Sequence, residues 1–537
     1  MRTLPDEPTR GYFVHMTDSA QQAASIGAGY DADGPHLRLG AVVIDGTAYA
    51  DHAVTMPLAM LNRHGLVAGA TGTGKTKTLQ LMAEQMSSAG IPVFLADVKG
   101  DLSGIAAPGT SSDRVADRST EVGDEWAPAQ FPVEFLTLGS DGRGAQVRVS
   151  MTSFGPTLLA KVLELNDTQE SSLALVFHYA DSAGLELVDL KDLRAVVQWL
   201  ASDEGKQDLA GLGGLSAATL GVILRELTGF ADNGGEAFFG VPEFDTQDLL
   251  RVTPDGKGVV TVLELSGVQD KPQVFSTFLM WLLADLFQEL PEIGDPDKPK
   301  LVFFLDEAHL LFTGATKDFL TSVTQTVRLI RSKGVGVFFC TQQPTDLPDD
   351  VLGQLGNRVQ HALRAFTPQD AKALKQAVAT YPRSDVYDLG ELLTQLGIGE
   401  AVITLLSDRG VPTPPAWTRL AAPRSLMAAL DSKALDAAVQ ASPQAAKYKP
   451  GDDPVSAYEK LAERSAPAAA PTPDAVPARP KPGTKGRGRE KAAAGGVAGA
   501  LGGFLGSSMG RSMTRSLGSA LGREITRSLF GTSRRRR

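Results

Sequence analysis

The chain of 537 residues contains a single cysteine, Cys340, so no disulfide can form within it. That excludes the disulfide-stapled scaffolds of secreted proteins and fits a reducing compartment. No strongly apolar run reaches the length of a membrane span, which excludes a conventional spanning helix. The opening stretch MRTLPDEPTRGYFVHMTDSAQQ holds no apolar run of signal-peptide length, so a cytoplasmic location is expected. Residues 105–255 carry no cysteine and one histidine, His178, which argues against a metal site there. These shortages do not mark disorder. A hydrophobic content of 42% and a charged content of 21% are ordinary for a chain that buries a core.

Positive charge is also scarce over most of the chain. The net charge is −10, but 14 Lys/Arg between Arg479 and Arg537 face only Glu490 and Glu524. That tail balance of +12 leaves −22 on the remaining residues. An acidic body with a basic tail argues against DNA binding spread over the whole surface. It leaves room for a basic tail or a basic pore lining.

What is present centres on Gly69-Ala70-Thr71-Gly72-Thr73-Gly74-Lys75-Thr76, which fits the phosphate-binding pattern G-x-x-x-x-G-K-[ST]. Gly69, Gly72 and Gly74 permit backbone turns that a Cβ would block, so successive N–H groups can converge on one anion. Lys75 supplies a point charge for the outer phosphates. Thr76 offers a hydroxyl to Mg2+ and, with Lys77, opens a helix whose N-terminus favours anions. His64–Ala68 reads as a buried strand before the loop, and Thr78–Met86 as an amphipathic helix after it. This order of strand, loop and helix predicts binding of a nucleoside triphosphate, ATP with Mg2+.

Further along, Ile91–Asp97 reads as a buried strand whose end, Asp97-Val-Lys99-Gly-Asp101, lies where α/β folds place ligands. Asp97 is therefore a binding candidate. Apolar runs at Gly258–Leu265, Lys300–Leu305, Gly336–Cys340 and Glu400–Leu405 alternate with helical patterns at Pro272–Glu289 and Thr316–Lys333. The alternation predicts an α/β fold, a mainly parallel sheet covered by helices. The expected organisation is a short β-containing region over 1–60, a core over 61–104 and 256–420, and a largely helical insertion over 105–255. A helical extension over 421–464 and a Pro-rich linker with a basic, Gly-rich tail over 465–537 complete it.

Leu305-Asp306-Glu307 ends a hydrophobic strand in two carboxylates. Asp306 is the candidate to hold Mg2+ with Thr76. Glu307 is the candidate general base for an attacking water, and its competing role is to cap the following helix. Gln342 ends a strand expected between the loop strand and the Asp306 strand. It is the candidate to contact the γ-phosphate or the water, with Gln343 and Thr341 as rivals. Arg328 and Arg331 lie three apart on a helical face and are candidates for an arginine supplied in trans, with Arg358 and Arg364 behind them.

Arg63-His-Gly-Leu through Thr76, Asp97 through Gly104, Leu305-Asp-Glu-Ala-His309 and Cys340-Thr-Gln-Gln-Pro344 together resemble the HerA–FtsK branch of P-loop ATPases. More closely, they resemble the bacterial HerA-helicase-like family. The resemblance covers about residues 35–420. It implies a RecA-like core, a catalytic Glu307, a polar sensor at Gln342 and an arginine finger near Arg328 or Arg331. It also implies a homo-oligomer, a hexameric ring moving on double-stranded DNA. HerA-type pumps dock a nuclease through an N-terminal β-barrel larger than the 60 leading residues here, which argues against a nuclease partner.

In the tail, apolar residues from Leu501 to Leu529 fall at spacings of four, and Arg511, Arg515, Arg523 and Arg527 share another four-residue register. Such a segment suits docking to a protein partner, DNA phosphates or a membrane surface. An ATP-switched scaffold using this tail is the competing expectation to a DNA motor.

Overall fold

A computed structural model describes residues 10–139, 142–209, 214–268, 271–312, 317–407, 409–451 and 453–465. Two compact units are distinguished, Met1–Tyr458 and Glu459–Arg537. Of the second, the described part is the end of the helix Ala457–Ser465. The tail expectations lie outside the described residues.

Among the described residues, twelve strands form one sheet. They are β1 (His36–Ile44), β2 (Thr47–Pro57), β3 (Gly65–Ala68), β4 (Val93–Asp97), β5 (Val133–Leu138) and β6 (Ala145–Val147). The chain continues with β7 (Val260–Glu264), β8 (Leu301–Leu305), β9 (Val335–Thr341), β10 (Asn357–Gln360), β11 (Glu400–Thr404) and β12 (Ala416–Leu420). The spatial order is β2-β1-β12-β11-β10-β3-β9-β8-β4-β7-β5-β6. From β10 to β6 every neighbouring pair is parallel, and from β2 to β10 every pair is antiparallel.

The parallel strands are buried on both faces, so they read as continuous apolar runs. Leu301-Val-Phe-Phe-Leu305 and Val335–Cys340 are buried throughout. The antiparallel end is less legible. β11 and the Pro-rich stretch Val411–Pro415 are followed by β12, which pairs with both β11 and β1. β12 alternates Ala-Trp-Thr-Arg-Leu between buried and half-buried positions and carries no apolar run. The hairpin predicted at Asp45-Gly46 is present, with φ of 49° and 78° at its two turn residues. It is part of the main sheet, since β1 pairs with β12. At the other end β5 and β6, from within 105–255, extend the parallel array, and the insertion's α-helices run from Asp113 to Asp232. Phe154, Phe230, Phe238 and Phe239 cluster there, and Phe238 packs on Phe278 of the helix Pro272–Glu289.

Buried polar side chains lock the middle of the sheet at its amino-terminal edge. His64 Nδ1 accepts from Val337 N at 3.0 Å, tying β9 to the segment that enters β3. Asn357 Nδ2 donates to Met60 O and His64 O, each at 3.0 Å. Burial drives the His64 imidazole down to about 4, so the folded chain holds it neutral. The unfolded imidazole titrates near 6.5, so stability from this residue is present above that pH. It is lost as pH falls toward 4, by up to about 3 kcal/mol. The expected outcome is that the melting-temperature gap between wild type and His64→Asn narrows steadily from pH 7 to pH 4.5. Thermal melts at each pH measure it.

Candidate functional site

The parallel strands all end at one edge of the sheet, and their ends bring the predicted residues together. β3 runs into the loop Gly69–Gly74, and the helix Lys75–Ser88 follows. Gly69, Gly72 and Gly74 all take positive φ, at 156°, 82° and 115°. At Gly69 a Cβ would lie 2.4 Å from His361 Cβ, so the position excludes any other residue. Gly74 stands at the helix N-cap with no side chain capping the first turn. The free N–H groups of that turn are the donors an anion needs. Lys75 is buried, and its Nζ donates to Gly69 O at 2.6 Å and Ala70 O at 3.2 Å. The cation thus lies across the loop's own carbonyls. Thr73 Oγ1 donates to Ala70 O at 2.8 Å, which tightens the turn. Thr71 and Gly72 are exposed at its tip and Thr76 is half-buried. Lys77 turns along its own helix to Gln80 Oε1 at 3.2 Å, away from the loop.

β9 lies between β3 and β8, as the placement of Gln342 required. β8 delivers Asp306 and Glu307, both buried. Burial, then the neighbouring Glu307 charge, pushes the Asp306 carboxyl up. Its Oδ2 has no hydrogen-bond partner among the described residues. A buried carboxylate oxygen left open beside a phosphate loop with a threonine hydroxyl fits Mg2+, which takes few protein ligands and keeps its waters. Among the described residues no cluster of three or more His, Cys, Asp or Glu side chains that could hold a metal is present.

Glu307 adopts a left-handed backbone, φ 47°, at the start of a short 3-10 turn that its side chain does not cap. A non-glycine residue there costs about 1 kcal/mol or more, and such strain gathers where a side chain must be aimed. The Glu307 side chain thus does not cap the turn it opens. Instead its carboxylate pairs with Lys99 Nζ, and His309 Nδ1 lies 3.3 Å from Oε2. Burial pushes the Glu307 carboxyl up, but the Lys99 contact and the charges of Lys99, His309 and Lys75 outweigh it and hold it low. Glu307 is therefore ionised and within the field of Lys75.

Asp97 is engaged with the backbone of the loop that follows it. Its Oδ1 accepts from Gly100 N at 2.8 Å and its Oδ2 from Leu102 N at 2.9 Å. Both oxygens shape the loop that carries Lys99, although burial still pushes the carboxyl up to about 6. Lys99 lay unassigned within a charged loop in the sequence, and only the adjacency of β4 and β8 brings it to Glu307. Cys340 is fully buried on β9 with its thiol against Asp306, and burial pushes the thiol up so that it stays protonated.

At the end of β9 the three rivals separate. Thr341 Oγ1 donates to Asp346 Oδ2 at 2.8 Å, and Gln343 N donates to the same oxygen at 2.8 Å. Gln342 projects into the open between them, exposed. The arginines separate as well. Arg331 precedes β9 and pairs with Asp295, which precedes β8 and also pairs with Arg63 ahead of β3. All three lie at the amino-terminal edge, away from the loop of the same chain. Arg328 is exposed on the helix Lys317–Ile330, and Arg358 bonds Thr380. Arg364 is the arginine brought to the loop, with Nη2 on Thr71 O at 3.2 Å.

One further neighbour carried no signal in the sequence. His361, at the end of β10, is fully buried and its Nε2 lies 2.9 Å from Thr78 Oγ1. Burial lowers its imidazole to about 4, so a neutral ring wedges the loop helix against β10.

A family model described as "Helicase HerA-like C-terminal" matches residues 44–537. The chain is 22% identical over 348 residues to the DNA double-strand break repair helicase HerA of Saccharolobus solfataricus, covering 64% of this chain and 61% of that relative. It therefore spans less than two thirds of that relative's length. It is 20% identical over 406 residues to the protein of the same name from Sulfolobus acidocaldarius, covering 75% and 72%. Among solved structures it is similar to the bacterial conjugative coupling protein TrwB, with a TM-score of 0.49 and 16% identity, over 76% of this chain and 95% of that one.

Proposed function

The chain belongs to the HerA-like helicase C-terminal family, and from that premise we propose that it hydrolyses ATP and couples hydrolysis to movement on double-stranded DNA as a ring-shaped oligomer. The observation that carries the hydrolytic half is Glu307, buried, ionised and strained into place beside Asp306, within the field of Lys75. A site that only switched on nucleotide would need the loop and no such carboxylate.

The residues divide the work. Backbone N–H groups from Ala70 to Thr76 cradle the phosphates, and Lys75 leaves the Gly69 and Ala70 carbonyls to pair with them. Thr76 and Asp306 hold Mg2+, which when bound draws negative charge off the phosphates. Glu307 accepts the proton of the attacking water, and Gln342 reads the γ-phosphate end. Lys99 fixes the direction of the Glu307 carboxylate. Arg328, exposed on its helix, or Arg331, at the edge opposite its own loop, serves a neighbour's, which is the reason for an oligomer.

Two experiments test this reading. The ATPase rate of the full chain is measured with and without double-stranded DNA, alongside its mass in solution. Stimulation by DNA and a multimeric mass are expected, and a rate indifferent to every DNA tried removes the motor. Separately, Lys99→Ala is expected to lower kcat about tenfold at nearly constant KM, because a loosened base is misaimed while substrate binding is untouched. Steady-state kinetics give that split.

A further inference from the structure

Two of the most exposed large apolar side chains, Phe366 at 84% and Ile398 at 78%, stand on the two loops that brace the phosphate loop. The first loop follows β10. Its Ala362 O accepts from Ala70 N at 2.8 Å, and its Arg364 donates to Thr71 O. The second precedes β11. Its Gly399 N donates to Thr73 O at 3.1 Å, and a Cβ on Gly74 would lie 3.2 Å from the same nitrogen.

Both loops lie on the β10–β11 side of β3, while Asp306, Glu307 and Gln342 follow β8 and β9 on the other side. A triphosphate lying across the loop with its γ end toward β8 and β9 must therefore send its nucleoside toward β10 and β11. Several polar side chains there are engaged within the fold. Thr367 and Asp370 cap the helix Pro368–Val378 reciprocally, and Arg118 donates to Gly399 O at 2.9 Å and Leu420 O at 3.1 Å. Phe366 and Ile398 are the large apolar side chains exposed there, beside the polar Arg364, Gln369 and Gln395.

We propose that Phe366 and Ile398 form the nucleobase-binding surface. They hold a purine by stacking and apolar contact, so the site takes ATP and GTP alike. Every base has a π-face, and a surface that reads it without hydrogen bonds cannot strongly reject a related base. This rests on the reading above that the loop binds a nucleoside triphosphate.

The test is calorimetric titration of the full chain, with Mg2+, using non-hydrolysable ATP and GTP analogues and inorganic tripolyphosphate. Phe366→Ala is expected to weaken both analogues about tenfold and to leave tripolyphosphate unchanged. Ile398→Ala should shift them the same way by less, and Phe366→Tyr should restore binding. An equal loss for all three ligands, or no loss for any, overturns the proposal. Unchanged binding with a lower mass in solution also overturns it, assigning the two side chains to contact between copies. Wild-type preference for one purine by more than about a hundredfold overturns base tolerance, since that ratio needs hydrogen-bond readout. The underlying reading fails separately, if wild type does not bind tripolyphosphate or if Lys75→Ala binds it equally well.

Discussion

Glu307→Gln is expected to bind ATP nearly as tightly as wild type and to hydrolyse it about 10²–10⁴ times more slowly, the range a positioned general base supplies. At 1.36 kcal/mol per tenfold, that is roughly 3–5 kcal/mol of barrier. The substitution keeps the volume of a buried side chain and leaves an amide oxygen that can still accept from Lys99, so the fold is preserved. It removes only the ability to take a proton. Single-turnover hydrolysis beside equilibrium binding of a fluorescent ATP analogue separates the two. Hydrolysis within about threefold of wild type would sink the assignment, since no proton acceptor could then be missing.

Lys75→Ala should fail earlier, at binding. The Lys75 ammonium is buried, and two loop carbonyls satisfy it. Without it the triphosphate meets those carbonyls with no cation between them. An affinity loss of about 10²–10³ is expected, in line with removing one charge-assisted donor from a preorganised anion site. Turnover falls below detection with it. The same titration on both variants gives a clear contrast: Glu307→Gln binds and stalls, whereas Lys75→Ala does not bind. A Lys75→Ala chain that bound ATP at wild-type affinity would place the phosphates elsewhere.

The binding half of the site was legible because its chemistry is local. Six consecutive loop residues with three glycines, then Lys75 and Thr76, can be read from spacing alone, and the uncapped helix start at Gly74 agrees. Parallel strands were equally legible, since burial on both faces leaves runs such as Leu301–Leu305 with no polar interruption. β10 and β12 were not. Asn357-Arg-Val-Gln360 carries one apolar residue, and its strand character comes from pairing between β3 and β11.

Sequence by itself therefore determined that this chain holds a phosphate loop, two carboxylates at the end of a buried strand, and an α/β core to carry them. Contacts across long stretches of sequence were decided only by the tertiary structure. Strand order put β9, with Gln342 and its rivals at its end, between β3 and β8, and set β4 beside β8, which gave Glu307 its Lys99 partner 208 residues away. The same order carried Arg331 to the edge opposite its own loop and set Arg364, Phe366 and Ile398 around that loop. The physical reason is that backbone pairing, unlike a turn or a helix cap, joins residues with no regard to their distance along the chain.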